Sequence, residues 1–66
     1  RCNAISPGAV ESGQSKIFIN KIKKQIPLNR LAKKEEYKSA IQFLCSDASE
    51  YMTGQNVIID GGRSVW

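Results

Sequence analysis

With 66 residues, 41% of them apolar and 24% charged, and a net charge of +4, the chain has room for one small domain at most. A chain of this size buries only about 60% of its unfolded surface, and small domains usually add disulfides, metals or partners to compensate. Two cysteines and no histidine remove the commonest zinc ligand and general base. Cys2 and Cys45 form no C-x-x-C, which excludes a redox or zinc motif of that kind. They are expected to be buried, reduced thiols, with one disulfide between them as the formal alternative. No apolar leader opens the chain and no apolar run reaches the length of a membrane span. A cytoplasmic protein is therefore expected, and the opening Arg1 suggests a piece of a larger machine.

In chain order, residues 2–5 read as the end of a short strand, and Ser6-Pro7-Gly8 is expected to stop it. Helical periodicity starts near Gly13 to Ser15, where a serine suits the cap, and fades at Pro27. Its apolar row is Phe18, Ile22 and Ile26, with Ile19 beside it. Pro27-Leu28-Asn29-Arg30 is a connector. A second helix is predicted over residues 34–45, where Tyr37, Ala40, Ile41 and Leu44 repeat at helical spacing and Phe43 widens the stripe. Glu35 and Glu36 suit its positive N-terminal end.

Ser46-Asp47-Ala48-Ser49 breaks that helix, and a turn through residues 51–54 leads to a β-branched, apolar strand over residues 56–60. A run without alternation suggests a strand covered on both faces, as in a parallel sheet. Gly61-Gly62 ends it. Two strands joined by helices are most naturally parallel, with a right-handed crossover. Sheets usually need three or more strands to stand independently, so the expected fold is the α/β edge of a larger sheet, incomplete on its own.

Eight of the ten basic residues lie between Lys16 and Lys38. A solvated lysine face on an ordinary helix explains them. The alternative is a free-standing basic module for an anionic partner such as nucleic acid or lipid. Aromatic interleaving is thin and no nucleic-acid motif accompanies the lysines, so neither a nucleic-acid nor a membrane partner is expected.

Four short motifs, in order, resemble the C-terminal portion of the short-chain dehydrogenase/reductase family. Asn3-Ala4-Ile5-Ser6-Pro7-Gly8-Ala9-Val10 resembles the exit of its sixth strand, and Ile26-Pro27-Leu28-Asn29-Arg30-Leu31 its proline-to-arginine connector. Phe43-Leu44-Cys45-Ser46-Asp47 with Tyr51-Met52-Thr53-Gly54-Gln55, then Ile59-Asp60-Gly61-Gly62, resemble its closing signature. Each motif alone is weak, and the four together cover residues 1–62. The resemblance implies residues 1–66 of one doubly wound, Rossmann-like dinucleotide-binding domain with no internal boundary. It also implies NAD or NADP as cofactor, and hydride transfer between nicotinamide and a small-molecule carbonyl or alcohol.

By that resemblance, Pro7, Gly8, Val10 and Ser12 would contact the cofactor, with the Val10 main chain meeting the nicotinamide carboxamide. A carboxamide requires one donor and one acceptor to fix the ring face it presents. Ser12 stands where threonine is usual, and the bland reading of its hydroxyl is a cap or loop group. Residues 11–26 would form a mobile substrate lid, with Ser15, Phe18, Ile19 and Ile22 as its site residues. Residues 34–45 and 56–60, the last helix and strand, would carry a homodimer or homotetramer contact, which the tail Val65-Trp66 joins or leaves for its own subunit.

No catalytic or metal-binding residue is assigned. Asp60 has no second acid or base placed beside it and reads as a turn-organising carboxylate. Tyr37 and Tyr51 lack the lysine four residues on that the family's general acid carries, the following positions being Ile41 and Gln55, so core or interface packing is expected for both. Lys34 replaces the family's usual proline at the helix start. The five glycines do not form a phosphate loop. The 66 residues alone are expected to be inactive.

Overall fold

A computed structural model describes all 66 residues. Strand β1 (Ala4–Pro7) is followed by helix α1 (Lys16–Lys23), then a 3-10 turn (Lys34–Tyr37) that leads into helix α2 (Lys38–Leu44). A second 3-10 turn (Asp47–Ser49), strand β2 (Asn56–Ile59) and a last 3-10 turn (Arg63–Val65) complete the chain. The strands pair in parallel, with Ala4 opposite Asn56 and Pro7 opposite Ile59. An isolated parallel bridge between Val10 and Ala32 extends the β1 side beyond the sheet. The expected strand–helix–helix–strand order and parallel pairing are present. No helix is long and apolar enough to cross a membrane.

Proline was expected to end β1, yet Pro7 belongs to it. Ala4 donates to Gln55 O, just before β2, and Gly8 to Ile59 O at its end, at 2.8 and 2.9 Å. A parallel ladder alternates sides, so Ile5 and Pro7 turn their backbone polar groups away from β2. The missing N–H of Pro7 falls on that far side and costs the sheet nothing.

The first helix is shorter than its periodicity predicts. Ser15 caps it, its Oγ accepting from Phe18 N–H at 3.2 Å. After Lys23 the chain tightens, with Gln25 N–H on Ile22 O and Ile26 N–H on Lys23 O. That tightening drives Ile26 inward, where it is only 2% exposed, instead of continuing the helical row. The second helix begins with a 3-10 turn because lysine at position 33 offers no side-chain acceptor as a cap. Glu36 supplies the reciprocal bond, accepting from the Lys33 N–H at 2.7 Å.

Burial is sparse. Ile26, Leu31, Tyr37 and Ser49 are the only buried residues. The accessible surface is 5135 Å², against roughly 4,200 Å² for a folded monomer of this mass. The radius of gyration is 13.8 Å, against about 11 Å for a compact domain of this length.

Three expectations of burial are corrected by this openness. Ile58 is 54% exposed, so β2 is covered on one face and not on both. Cys2 and Cys45 are free and exposed, since the elements beside them bring nothing to cover them. Tyr51 stands fully in solvent on a turn, which removes the core from its expected core-or-interface packing and leaves the interface, whereas Tyr37 packs as expected and its hydroxyl donates to Ile59 O at 3.3 Å.

Two polar clamps were not legible beforehand. Asn3 ties the turn before β2, its Nδ2 donating to Met52 O at 3.1 Å and its Oδ1 accepting from Gln55 N–H at 3.0 Å. The buried Ser49 hydroxyl lies 2.7 Å from Phe43 O, 3.1 Å from Leu44 O and 3.1 Å from Ser46 O, and so closes the end of α2.

Candidate functional site

Parallel strands send their carboxyl ends to the same side, which is where open α/β sheets bind ligands. Here that side holds the loop after β1 and the turn after β2. The two exits approach closely at Gly8. A Cβ there would lie 2.7 Å from Asp60 Cα, so only glycine fits.

Asp60 organises the second exit. Its Oδ1 accepts from Gly62 N–H and its Oδ2 from Ser64 N–H, both at 2.9 Å. Ser64, through its hydroxyl and its N–H, holds the carboxyl below its ordinary value, with help from the Gly62 N–H. It is the turn-organising carboxylate that the sequence suggests.

Val10 lies at the centre of the first exit. Ala32 donates to Ala9 O and accepts from Glu11 N–H, both at 2.9 Å. In a parallel bridge the residue between those two points its own N–H and carbonyl the other way. Val10 therefore presents one donor and one acceptor on the side away from Ala32. Its N–H has no partner within the chain, and its carbonyl accepts from Gln14 Nε2 at 2.8 Å. Ser12 is exposed, and its backbone N–H donates to Gln14 Oε1 at 2.7 Å. Donor and acceptor thus fit a carboxamide at Val10, and the Ser12 hydroxyl stands two residues on.

Pro7 and Gly8 line a separate open hollow with Asp60, Arg63 and Ser64. The expected lid residues sit in and before α1. Ser15 is its cap, Phe18 is exposed, and Ile19 and Ile22 are half-buried. None of the clefts is lined by these lid residues. The structure brings Val10 and Ser12 together through Gln14 and leaves the lid residues apart from them.

Behind the loop, Arg30 and Glu36 form a two-pronged ion pair at 2.8 and 2.7 Å, beside a cleft of about 80 Å³ lined by Ala9, Ile26, Tyr37 and Ile59 among others. The Arg30 guanidinium, helped by the Lys33 N–H, pulls the Glu36 carboxyl from an ordinary 4.5 down to about 2. Glu36 in turn holds Arg30 more firmly protonated. A glutamate three residues after position 33 is the spacing that would have revealed its capping role. Nothing comparable marks Gln14, whose partners are set by the fold-back of the loop.

A protein-family model described as enoyl-(acyl carrier protein) reductase matches residues 1–64. An NADP-dependent mannitol dehydrogenase of Alternaria alternata is 44% identical over 69 residues, 98% of this chain and 26% of the relative. A tropinone reductase homolog of Arabidopsis thaliana is 38% identical over 72 residues, 100% of this chain and 27% of the relative. The crystal structure of a short chain dehydrogenase from Leptospira borgpetersenii with bound NAD+ superposes with a TM-score of 0.92 and 42% identity, over 97% of this chain and 25% of that one. The chain spans about a quarter of the length of these relatives.

Proposed function

Because the chain belongs to the short-chain dehydrogenase/reductase family, we propose that it forms the nicotinamide-facing edge of an NAD(P)-dependent oxidoreductase. The observation that carries this reading is the outward-facing N–H and carbonyl of Val10 at the carboxyl ends of two parallel strands. That pair meets a carboxamide's need for one donor and one acceptor. Ser12 adds a hydroxyl, and Pro7-Gly8 shapes the strand exit that brings the loop to the cofactor. NAD or NADP, when bound, supplies or takes up the hydride exchanged with a carbonyl or alcohol carbon. The role of these residues is to hold the ring with one face toward the substrate. Further strands, the phosphate-binding loop and the proton-transfer residues come from outside these 66 residues, which are inactive alone.

The segment 11–26 acts as a substrate lid. Ser15 fixes the start of α1, while Phe18, Ile19 and Ile22 supply an apolar face to a small-molecule substrate. The exposed apolar side chains of Ile41 and Phe43 on α2 and Ile58 on β2 support a contact between subunits through the last helix and strand. The free-standing basic module is not favoured, since the oxidoreductase family model covers residues 1–64.

The test is a fluorescence titration of the intact enzyme with NADH and NADPH, for the wild type, Val10→Pro and Ser12→Ala. Proline removes the Val10 N–H while leaving the Ala32 bridge its own bonds. One of the two cofactors binds the wild type, Val10→Pro weakens it about tenfold, and Ser12→Ala weakens it less, in line with single hydrogen bonds. A wild type that binds neither cofactor, or a Val10→Pro variant with unchanged affinity, sinks the reading.

A further inference from the structure

The side chain of Gln14 closes the β1 exit loop on itself. Its Nε2 donates to Val10 O at 2.8 Å, and its Oε1 accepts from Ser12 N–H at 2.7 Å. Gly13, at φ +81°, supplies the left-handed turn that folds Gln14 back over residues 10–12. One amide thus fastens both ends of a short loop, and its burial is intermediate where its neighbours Ser12 and Ser15 are exposed.

The consequence lies in the peptide planes. The unit joining Val10 and Glu11 is held from both sides, by Glu11 N–H on Ala32 O at 2.9 Å and by Gln14 Nε2 on the Val10 carbonyl. The unit joining Ala9 and Val10 is held by Ala32 N–H on Ala9 O, which aims the Val10 N–H outward. Ala32 therefore orients the donor, and Ala32 and Gln14 together orient the acceptor. A carbonyl oxygen has two lone pairs, so Val10 O keeps one for a ligand after accepting from Gln14. Gln14 also engages the Ser12 N–H, which fixes the backbone that carries the Ser12 hydroxyl.

We propose that Gln14 is a positioning residue for the nicotinamide carboxamide: it orients the Val10 carbonyl and the Ser12 backbone without touching the cofactor itself. This rests on the reading that the β1 exit meets nicotinamide. It goes further by naming the side chain that fixes the acceptor alongside the Ala32 backbone.

The experiment compares the intact wild-type enzyme with Gln14→Ala and Gln14→Glu, using whichever of NADH and NADPH it binds, and ADP-ribose as a probe without the nicotinamide ring. Gln14→Ala removes both bonds. Gln14→Glu keeps the acceptor for Ser12 but sets a carboxylate oxygen against the Val10 carbonyl. Both variants weaken the reduced cofactor about fivefold or more, as expected for lost neutral hydrogen bonds, and leave ADP-ribose within about twofold. Equal weakening of both ligands would mark a merely structural loop and overturn the proposal, as would no change in either. Should a variant fold poorly, the wild type still decides. Its Gln14 side-chain amide resonances shift on adding the reduced cofactor and stay put with ADP-ribose, and identical responses to both overturn the assignment. A wild type that binds ADP-ribose but gains nothing from the nicotinamide ring defeats the underlying reading instead of the role of Gln14 within it.

Discussion

The two helices of this chain are held in different ways. The hydrogen bonds of α1 stay within residues 15–26, and two of its apolar side chains face solvent, Ile17 at 73% exposure and Phe18 beside it. The region from Arg30 to Ser49 is fastened at both ends, by the Arg30–Glu36 pair at its start and by Ser49 under the last carbonyls of α2. Arg1 adds contacts from outside, its guanidinium donating to Ser46 O and Met52 O at 3.3 Å. A fastened frame beside a helix bonded only to its own flanking residues is what a lid and its hinge support require. Elements with few anchors open at low free-energy cost.

The comparison breaks most completely if the rest of the sheet is removed. Made alone, residues 1–66 are expected to lack a cooperative thermal transition by circular dichroism, because four buried residues give too small a core to offset chain entropy. A sharp transition would show that frame and lid are stable without further strands.

Within the intact enzyme, one substitution attacks the strand exits and one the frame. Gly8→Ala sets a methyl group 2.7 Å from Asp60 Cα, and overpacking of this kind costs about 1–3 kcal/mol in denaturant unfolding. Ser49→Ala leaves the carbonyls of Phe43, Leu44 and Ser46 without the hydroxyl, a loss of about 1–3 kcal/mol. Phe18→Ser on α1, the proposed lid, is expected to change stability by less than about 0.5 kcal/mol. Its effect should appear in the KM for substrate instead. If Phe18→Ser destabilises as strongly as Ser49→Ala, α1 is part of the frame.

Acid sharpens the contrast. Glu36 titrates at about 2 in the fold against an ordinary 4.5, and Asp60 is shifted in the same direction. A carboxyl whose folded value is depressed stabilises the fold above its ordinary value, and that contribution is lost as pH falls through the folded one. The frame should therefore loosen between about pH 4.5 and pH 2, and the β2 exit only below the ordinary Asp60 value of 3.8, while α1, which contains no acidic residue, has no such local titration. NMR shifts of the Lys33 and Ser64 amides, followed through that window, report it. Glu36→Gln should abolish the Lys33 response and leave that of Ser64. The smallest effect expected is kinetic: amide protons of α1 exchange faster than those of α2, and equal protection would remove the case for a lid.

What could be read from residues alone was whatever depends on near neighbours. The Ser15 cap and the Asp60 turn follow from spacing over a few positions, the parallel pairing follows from the order of the elements, and all are present. What depends on distant partners was not legible. Pro7 was expected to end a strand because its tolerance depends on which side β2 lies. The first helix was drawn too long because Ile26 fits the periodic row, while the chain uses it to enter the core. Cys2 and Cys45 were expected inside, where thiols usually lie, but few other residues of this chain reach them. Val10 and Ser12 were singled out by resemblance, whereas the geometry that joins them runs through Gln14, a residue with no marking pattern.

Pro7 carries one more consequence. On the side of β1 away from β2, Ile5 has an N–H to offer and Pro7 has none. A further strand laid along that edge finds a donor at Ile5 and no donor at Pro7. The ladder loses one hydrogen bond there, just short of the loop that holds Val10, although the Pro7 carbonyl can still accept. The proline thus makes the last step of that edge its weakest, at the point where the chain turns toward the outward-facing Val10 amide.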